Sequence, residues 1–502
     1  MPRNKRVIAG LCLLFALVAY FPLFLHLDAL PLRIYDESRL GVNTLEMLDN
    51  GNWLVPHYGK TPDMWNLKPP LMIWTQVLSM KLLGPNVLAL RLPAALFGTA
   101  TLLLLVWYGS RRMGSIYLGL AMGTSLLCTP GYITPHVTRT GDYDALLCLL
   151  LLVQVLCFFE WLWAEGRASR RGLYGFAMAF SAAVLCKGIA GCFLLPGLLL
   201  GSVVLGRWKK VLFPLRNYLV AALAWMPILA YYLGREGINP GYLRAVWENE
   251  IGGRYAQVIE HHQGHWSYYL GQLGDWQWAP WLWWVPLALW GIWVWEKDPK
   301  RRALSLFVAF QGLGLLGLLS LAQTKLTWYI APSLPLFAIT LGTGFYALFS
   351  LMARAIEVPQ VPLRSKWALL FLALAIWGRP YWRVVQSVYH PVDTAAQADK
   401  MRYGHFFKRT NLEAGKYLVP RQGSNSHLAI FKHVLSKEGI QLLPTYPRPE
   451  GLPVGTRVIL CEEQSREFVH AHYDHEILRR SDHCELLVIT TPKPIKGHLV
   501  LE

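Results

Sequence analysis

Apolar stretches recur through the first three-quarters of the chain, near 7–27, 89–108, 115–133, 143–163, 172–187, 189–206, 213–233, 279–295, 303–322, 327–350 and 366–384. About 20 apolar residues in a helix are enough to cross the hydrocarbon layer of a bilayer. The pattern therefore predicts an α-helical polytopic membrane protein with 11 crossings, or about 11–13 once short and re-entrant segments are allowed for. The first run follows Arg3, Lys5 and Arg6, and no small-x-small cleavage site follows it. It is expected to be a retained helix with its N-terminus in the cytoplasm.

Threading the helices alternately gives a check on topology. Arg111-Arg112, Arg167 with Arg170-Arg171, Arg207 with Lys209-Lys210, Lys297 with Lys300-Arg301-Arg302, and Arg354 with Arg364 and Lys366 all fall on one side. Basic loops stay in the cytoplasm, so this side is the inner one. Two long segments, 28–85 and 234–279, then lie outside, each with Trp-rich pieces suited to the interface plane. An odd number of crossings puts the C-terminal tail outside as well. From about Val385 the composition turns polar, with strand-like runs at Leu428–Phe431, Val458–Cys461 and Leu486–Thr491 and a helix-like stretch at Lys432–Glu438. The expected division is a transmembrane domain over 1–384 and a small soluble α/β domain over 385–502.

Composition agrees with this reading. Of the 502 residues, 54% are hydrophobic and only 16% charged, too apolar for an ordinary soluble globule. The 22 Trp suit aromatic belts at a membrane interface. A net charge of +17 could point to nucleic acid, but the basic residues sit in short clusters between apolar runs and are accounted for by topology. Six of the eight Cys lie in apolar runs and read as small core residues. Cys461 and Cys484 lie in the tail, where a disulfide is open to them if that tail is outside the cytoplasm.

Candidate chemistry gathers on the outer side. The first outer segment opens with Tyr35-Asp36-Glu37-Ser38-Arg39, adjacent carboxylates that either start a solvated helix or serve as a proton acceptor. Lys68 precedes Pro69-Pro70 and can snorkel to lipid phosphates or bind a phosphate ligand as a point charge. Arg139, Asp142 and Asp144 sit at the mouth of a later helix, with Arg139 near enough in sequence to pair with the acids. Lys187 stands at a break before Gly188, and an ionisable residue there is a functional candidate. The second outer segment carries Glu250 to Tyr255, including Arg254, then His261, His262 and His265. Three His in five residues raise a metal hypothesis, although no second ligand cluster accompanies them. Lys325 and Tyr329 mark a further outer helix entrance. A transporter would bury charge at the midplane between internal repeats, and no such repeat is evident.

The ordered set Tyr35-Asp36-Glu37-Ser38-Arg39, Lys68-Pro69-Pro70-Leu71, Asp144-Ala145-Leu146-Leu147, Lys187-Gly188, Glu250 to Tyr255, His262 to Tyr269 and Lys325 to Pro332 resembles the GT-C glycosyltransferases of the protein O-mannosyltransferase type. Within them it is most similar to the bacterial aminoarabinose transferases that modify lipid A. The resemblance covers roughly residues 1–350. It implies a GT-C fold and inverting transfer of a sugar from a polyprenyl (undecaprenyl) phosphate donor. The implied acceptor is lipid A or another envelope molecule, with protein or a polysaccharide as alternatives of the same class and a lipid flippase or transporter as the reading from another class. Asp36 would be the catalytic base, with Glu37 beside it and Asp144 as a second acid. Lys68, Arg254 and Tyr329, supported by Lys187, Lys325 and Arg39, would form the donor phosphate site. Arg139, Asp142, His262 and Tyr35 would lie near the sugar or acceptor. No metal or other cofactor and no nucleic acid is implied. A monomer in the bacterial inner membrane, with its active site facing the periplasm, is expected.

Overall fold

The computed structural model describes residues 5–253, 258, 262–356, 365–421, 426–481 and 483–493. Every predicted apolar stretch becomes helical among these residues, although the helices differ in length. Eight helices are long and apolar enough to span: α1 (Lys5–Phe24), α4 (Val87–Arg111), α6 (Asp144–Trp163) and α7 (Gly166–Lys187), and then Leu215–Ile238, Pro299–Leu321, Ser333–Ile356 and Trp367–Tyr389. The stretches at 115–133, 189–206 and 279–295 contain the shorter apolar helices α5 (Ile116–Leu127), Leu195–Val204 and Val285–Val294. Backbone breakers explain each case. Pro130-Gly131 ends the first, Pro196 opens the second, and Pro280 and Pro286 divide the third.

α6 is the centre of the bundle, with 78% of its best apolar window buried, whereas α1 and the Leu215–Ile238 helix bury 22% of theirs. Leu13, Leu14 and Leu17 of α1 are accordingly left exposed, as a lipid-facing surface requires. Small residues bring helices into backbone contact: a Cβ on Gly119 of α5 would stand 2.3 Å from the carbonyl oxygen of Val106 in α4. Pro22 within α1 cannot bond back to Val18, and the Tyr381 hydroxyl donates to that carbonyl instead at 2.8 Å.

The segment 28–85 is structured. It contains α2 (Asp36–Asn50), a hairpin of β1 (His57–Tyr58) and β2 (Thr61–Pro62), and α3 (Leu71–Leu83). The C-terminal unit is a mixed five-stranded sheet in the order β4 (Ile440–Thr445), β3 (Gly415–Pro420), β5 (Arg457–Leu460), β7 (Cys484–Pro492), β6 (Tyr473–Ser481). β3 runs parallel to β4 and β5, while β7 runs antiparallel to β5 and β6. Cys461 and Cys484 continue the β5–β7 register and form a disulfide.

Two sequence readings of this unit change. Leu428–Phe431 is not a strand but part of the helix His427–Ser436. Its apolar run is the inner face of that helix, and Ile430 packs with Leu32, Leu45 and Leu90. Gly41 of α2 makes room for it, since a Cβ there would lie 2.6 Å from Ile430 Cδ1. The last membrane helix also runs on to Tyr389, a little beyond the expected division at 384.

Candidate active site

The site is built where α2, α6, α7 and the connecting segments meet at one end of the bundle. Tyr35, immediately before α2, takes φ 75° and ψ −113°, an unusual backbone state for a bulky residue. Its ring is exposed beneath the Lys400 ammonium, 5.4 Å from the centroid. This turn divides the neighbouring acids. Asp36, the first residue of α2, is exposed and lines a polar cleft, while Glu37 is buried beneath it.

Glu37 is fully engaged. Arg91 donates to both of its oxygens, Nε to Oε1 at 2.6 Å and Nη2 to Oε2 at 2.8 Å. The backbone N–H of Arg33 and that of Gly141 complete the set at 2.8 and 2.9 Å. Burial pushes the Glu37 carboxyl up, but the charge and hydrogen bonds of Arg91 outweigh it and hold the group below the usual range. Its placement beside Asp36 as a catalytic acid is therefore revised: it fixes the start of α2 against α4 and the segment before α6.

Lys187 at the end of α7 donates to both oxygens of Asp144, the first residue of α6, at 2.6 and 2.7 Å. The Lys187 ammonium also lies 5.6 Å from the centre of the Tyr329 ring. Lys68 donates to Glu250 at 3.1 Å and faces Tyr143. Lys68, Asp144, Lys187 and Tyr329 line the polar cleft with Asp36, and the same four line one end of a cavity of about 360 Å³. The rest of that cavity is apolar, walled by residues such as Leu147, Phe193, Leu315 and Leu319. An apolar slot thus opens into a charged cleft through two ammonium groups and a phenol.

Three other expected residues do other work. Arg39 lines the cleft, but its guanidinium forms a two-bond pair with Asp63 (2.9 and 2.7 Å) over the Tyr58 ring. Arg139 does not pair with Asp142 or Asp144, because it donates to the carbonyls of Pro22, Leu23 and Leu25 at the end of α1. The Lys325 ammonium turns away from the cleft to the carbonyls of Ser320 and Ala322, closing the end of the Pro299–Leu321 helix. His262 is exposed and outside the cleft lining, and its carbonyl accepts from the Lys325 N–H at 2.8 Å. Arg254 and His261 lie outside the described residues.

Sequence reasoning passed over His136. Its backbone has φ 66°, its ring stacks on Trp328 at 3.7 Å, and its Nδ1 stands 3.5 Å from Asp142 Oδ2. Asp36, His136 and Asp142 each bring a ligand-type atom within 4.8 Å of the others. Asp142 is buried and accepts from the Thr140 hydroxyl at 2.5 Å. Burial, then the charges of Glu37 and Asp36, push its carboxyl well above the usual range. Burial likewise lowers the His136 imidazole, against the opposite pull of nearby carboxylates. Arg91 was also missed, although a lone Arg inside an apolar run was a visible signal.

Along the chain, residues 67–231 match the family described as dolichyl-phosphate-mannose-protein mannosyltransferase. In overall structure the chain is similar to ArnT from Cupriavidus metallidurans bound to undecaprenyl phosphate, with a TM-score of 0.67 over 95% of this chain and 98% of that one, at 18% identity. This is the GT-C fold. The oligosaccharyltransferase of Archaeoglobus fulgidus shares it at a TM-score of 0.54 and 13% identity, over 88% of this chain and 64% of its own. Among curated sequences, the chain is 28% identical over 349 residues to undecaprenyl phosphate-alpha-4-amino-4-deoxy-L-arabinose arabinosyl transferase 2 of Pseudomonas fluorescens, covering 68% of this chain and 60% of that protein. It is 30% identical over 348 residues to the corresponding transferase of Aeromonas salmonicida, covering 66% and 59%. The chain therefore spans about three-fifths of the length of these relatives. Within the GT-C fold, the matched family segment contains Lys68, Asp142, Asp144 and Lys187.

Proposed function

We propose that this protein is an inverting glycosyltransferase that moves a sugar from a polyprenyl phosphate, of the undecaprenyl type, to an envelope acceptor. Lipid A is the acceptor we favour, and the periplasmic face of a bacterial inner membrane is the place. The observation that carries the reading is the apolar cavity that ends on Lys68, Lys187 and Tyr329 and continues into the cleft holding Asp36. A polyprenyl chain fits the apolar part. Its phosphate then meets the ammonium groups, and its sugar reaches the carboxylates. Lys68 is the cation best placed to take the phosphate, being held by a hydrogen bond of 3.1 Å to Glu250, whereas Lys187 is gripped by both oxygens of Asp144.

In this mechanism Asp36 accepts the proton of the acceptor hydroxyl as that oxygen bonds to the anomeric carbon. The bond from the anomeric carbon to the phosphate oxygen breaks, and its electron pair leaves with the polyprenyl phosphate. Lys68, Lys187 and the Tyr329 ring edge the place where that charge develops. Exposure of Asp36 to the cleft suits a group that must meet a second substrate. Relatives named as arabinosyl transferases acting from undecaprenyl phosphate support the donor class. The test is transfer of labelled sugar from undecaprenyl phosphate to envelope lipid in membranes carrying the wild type or Asp36→Asn at matched expression. Transfer by the wild type and its collapse in the variant support the reading, whereas equal transfer by both removes Asp36 from the mechanism.

A further inference from the structure

We propose that the protein binds an anionic phospholipid in a second apolar slot, between the helices Leu195–Val204 and Pro299–Leu321, with the lipid phosphate held by Lys297 and Arg302. The slot is separate from the cleft that holds Asp36, and its ligand is independent of the reaction proposed there.

The two helices meet where glycines allow it. A Cβ on Gly201 would stand 2.5 Å from the Phe307 ring, and the Gln311 amide donates to the Gly197 carbonyl at 2.9 Å. On one side of this contact Phe193, Pro196, Leu315 and Leu319 wall the apolar cavity that ends on Lys68 and Lys187. On the other side the same two helices leave a second cavity, of about 570 Å³. That volume lies within the span of about 300–1,000 Å³ usual for small-molecule sites. Arg302, Leu306 and Phe310 recur at every fourth residue, so one face of the helix Pro299–Leu321 lines the slot, opposite Val204. Val204, Leu306 and Phe310 are exposed, as apolar side chains that meet lipid are.

The charges at its mouth decide which lipid fits. At this end of the bundle Lys300 pairs with Glu160, Arg301 with Glu296, and Arg207 and Lys210 with Glu165. Lys297 and Arg302 line the slot, and among the described residues neither is in an ion pair with Asp or Glu. Arg302 lies over the exposed Trp293 ring, 4.4 Å from its centre, and Lys297 donates to the Val294 carbonyl at 3.1 Å. A stacked guanidinium still offers the donors at its edge to phosphate oxygens, and an ammonium has three. Trp beside them suits the headgroup level of a bilayer. Two cations above an apolar slot are complementary to a phosphate above an acyl chain, the arrangement by which basic pockets between membrane helices hold anionic headgroups. A zwitterionic lipid brings an ammonium of its own and loses that advantage.

The experiment titrates the full-length protein in detergent with dioleoyl phosphatidylglycerol or dioleoyl phosphatidylcholine and counts bound lipid by native mass spectrometry. The wild type is expected to bind phosphatidylglycerol at least about tenfold more tightly, the effect of two basic residues at an anionic headgroup. With Lys297→Gln and Arg302→Gln combined, the two lipids are expected to bind within about twofold of each other. Should that variant misfold, Ala303→Phe decides: it keeps both cations but fills the slot, and is expected to abolish saturable binding of phosphatidylglycerol. Equal binding of the two lipids by the wild type overturns the proposal. So does a preference that survives the charge variant, or undiminished binding in Ala303→Phe. Displacement of phosphatidylglycerol by glycerol 3-phosphate alone would show a site for free phosphate. Displacement by undecaprenyl phosphate at lower concentration would show a second carrier site, and a changed oligomeric state in Ala303→Phe would show a contact with a second copy. Each of these three results overturns the phospholipid assignment.

Discussion

Lys187 Nζ lies 2.6 Å from one carboxylate oxygen of Asp144 and 2.7 Å from the other, tying the end of α7 to the start of α6 inside the bundle. Both side chains are buried, so each neutralises a charge that the other would leave stranded. Lys187→Met should therefore destabilise the protein by about 3–5 kcal/mol, because removing one partner strands the other. Asp144→Asn combined with Lys187→Met should recover much of that loss. Thermal unfolding in detergent across the four-member cycle measures the coupling, and additive single effects would show that the pair is not a unit.

Asp36 and Glu37 are neighbours with opposite assignments, and substitution separates them. Asp36→Asn should lower transfer by about 10²–10⁴-fold, the range for a general base, with unfolding unchanged. Glu37→Gln should instead lower stability, because Arg91 loses its counter-charge in a buried setting. The pH dependence has a definite sign. Burial acts to raise the Glu37 carboxyl, yet Arg91 holds it below its ordinary 4.5 in the folded protein. Its stabilising contribution is thus complete above that ordinary value and is lost as pH falls through the depressed one. The stability gap between wild type and Glu37→Gln should narrow as the pH is lowered below about 4.5. A gap independent of pH would detach Glu37 from the linkage.

The membrane fold was legible because apolar length is a strong signal, and the ordered set of charged motifs pointed to Asp36, Lys68, Asp144, Lys187 and Tyr329, which line one cleft. What the sequence could not convey is which charges cancel. Arg139 lies three residues from Asp142 in the chain, yet it faces the carbonyls ending α1, while Lys187 travels from another helix to reach Asp144. Leu428–Phe431 was misread for a related reason: four apolar residues fit a strand or the inner face of a helix, and docking against Gly41 decides the case. His136 carried no visible signal, since its position depends on a left-handed backbone and a stack on Trp328.

Cys461 and Cys484 are joined across β5 and β7, 23 residues apart in sequence. Closing a loop of that size stabilises by about 3 kcal/mol in the chain-entropy account. Replacing both with Ala should lower the unfolding temperature of the sheet unit. A mobility difference between reduced and unreduced protein from membranes, lost in the double variant, checks that the bond forms in the cell. Its absence from fully folded wild-type protein would argue against an oxidising compartment for this unit.

Arg139 gives the sharpest disagreement between a motif and its surroundings. Next to two acids in the sequence, it was expected at the sugar or acceptor. In the fold it supplies hydrogen bonds of 3.2, 3.0 and 2.7 Å to the carbonyls of Pro22, Leu23 and Leu25, groups that the last turn of α1 leaves without helical partners. The planar fork of Arg reaches all three, and the single ammonium of Lys cannot reproduce it. Arg139→Lys should consequently destabilise by about 1–3 kcal/mol, the cost of leaving buried carbonyls unsatisfied. Transfer per folded molecule should be unchanged. Measuring transfer and folded fraction in the same detergent preparation distinguishes the two roles. A fall in specific transfer with unfolding unaltered would return Arg139 to the acceptor side of the reaction and remove it from the end of α1.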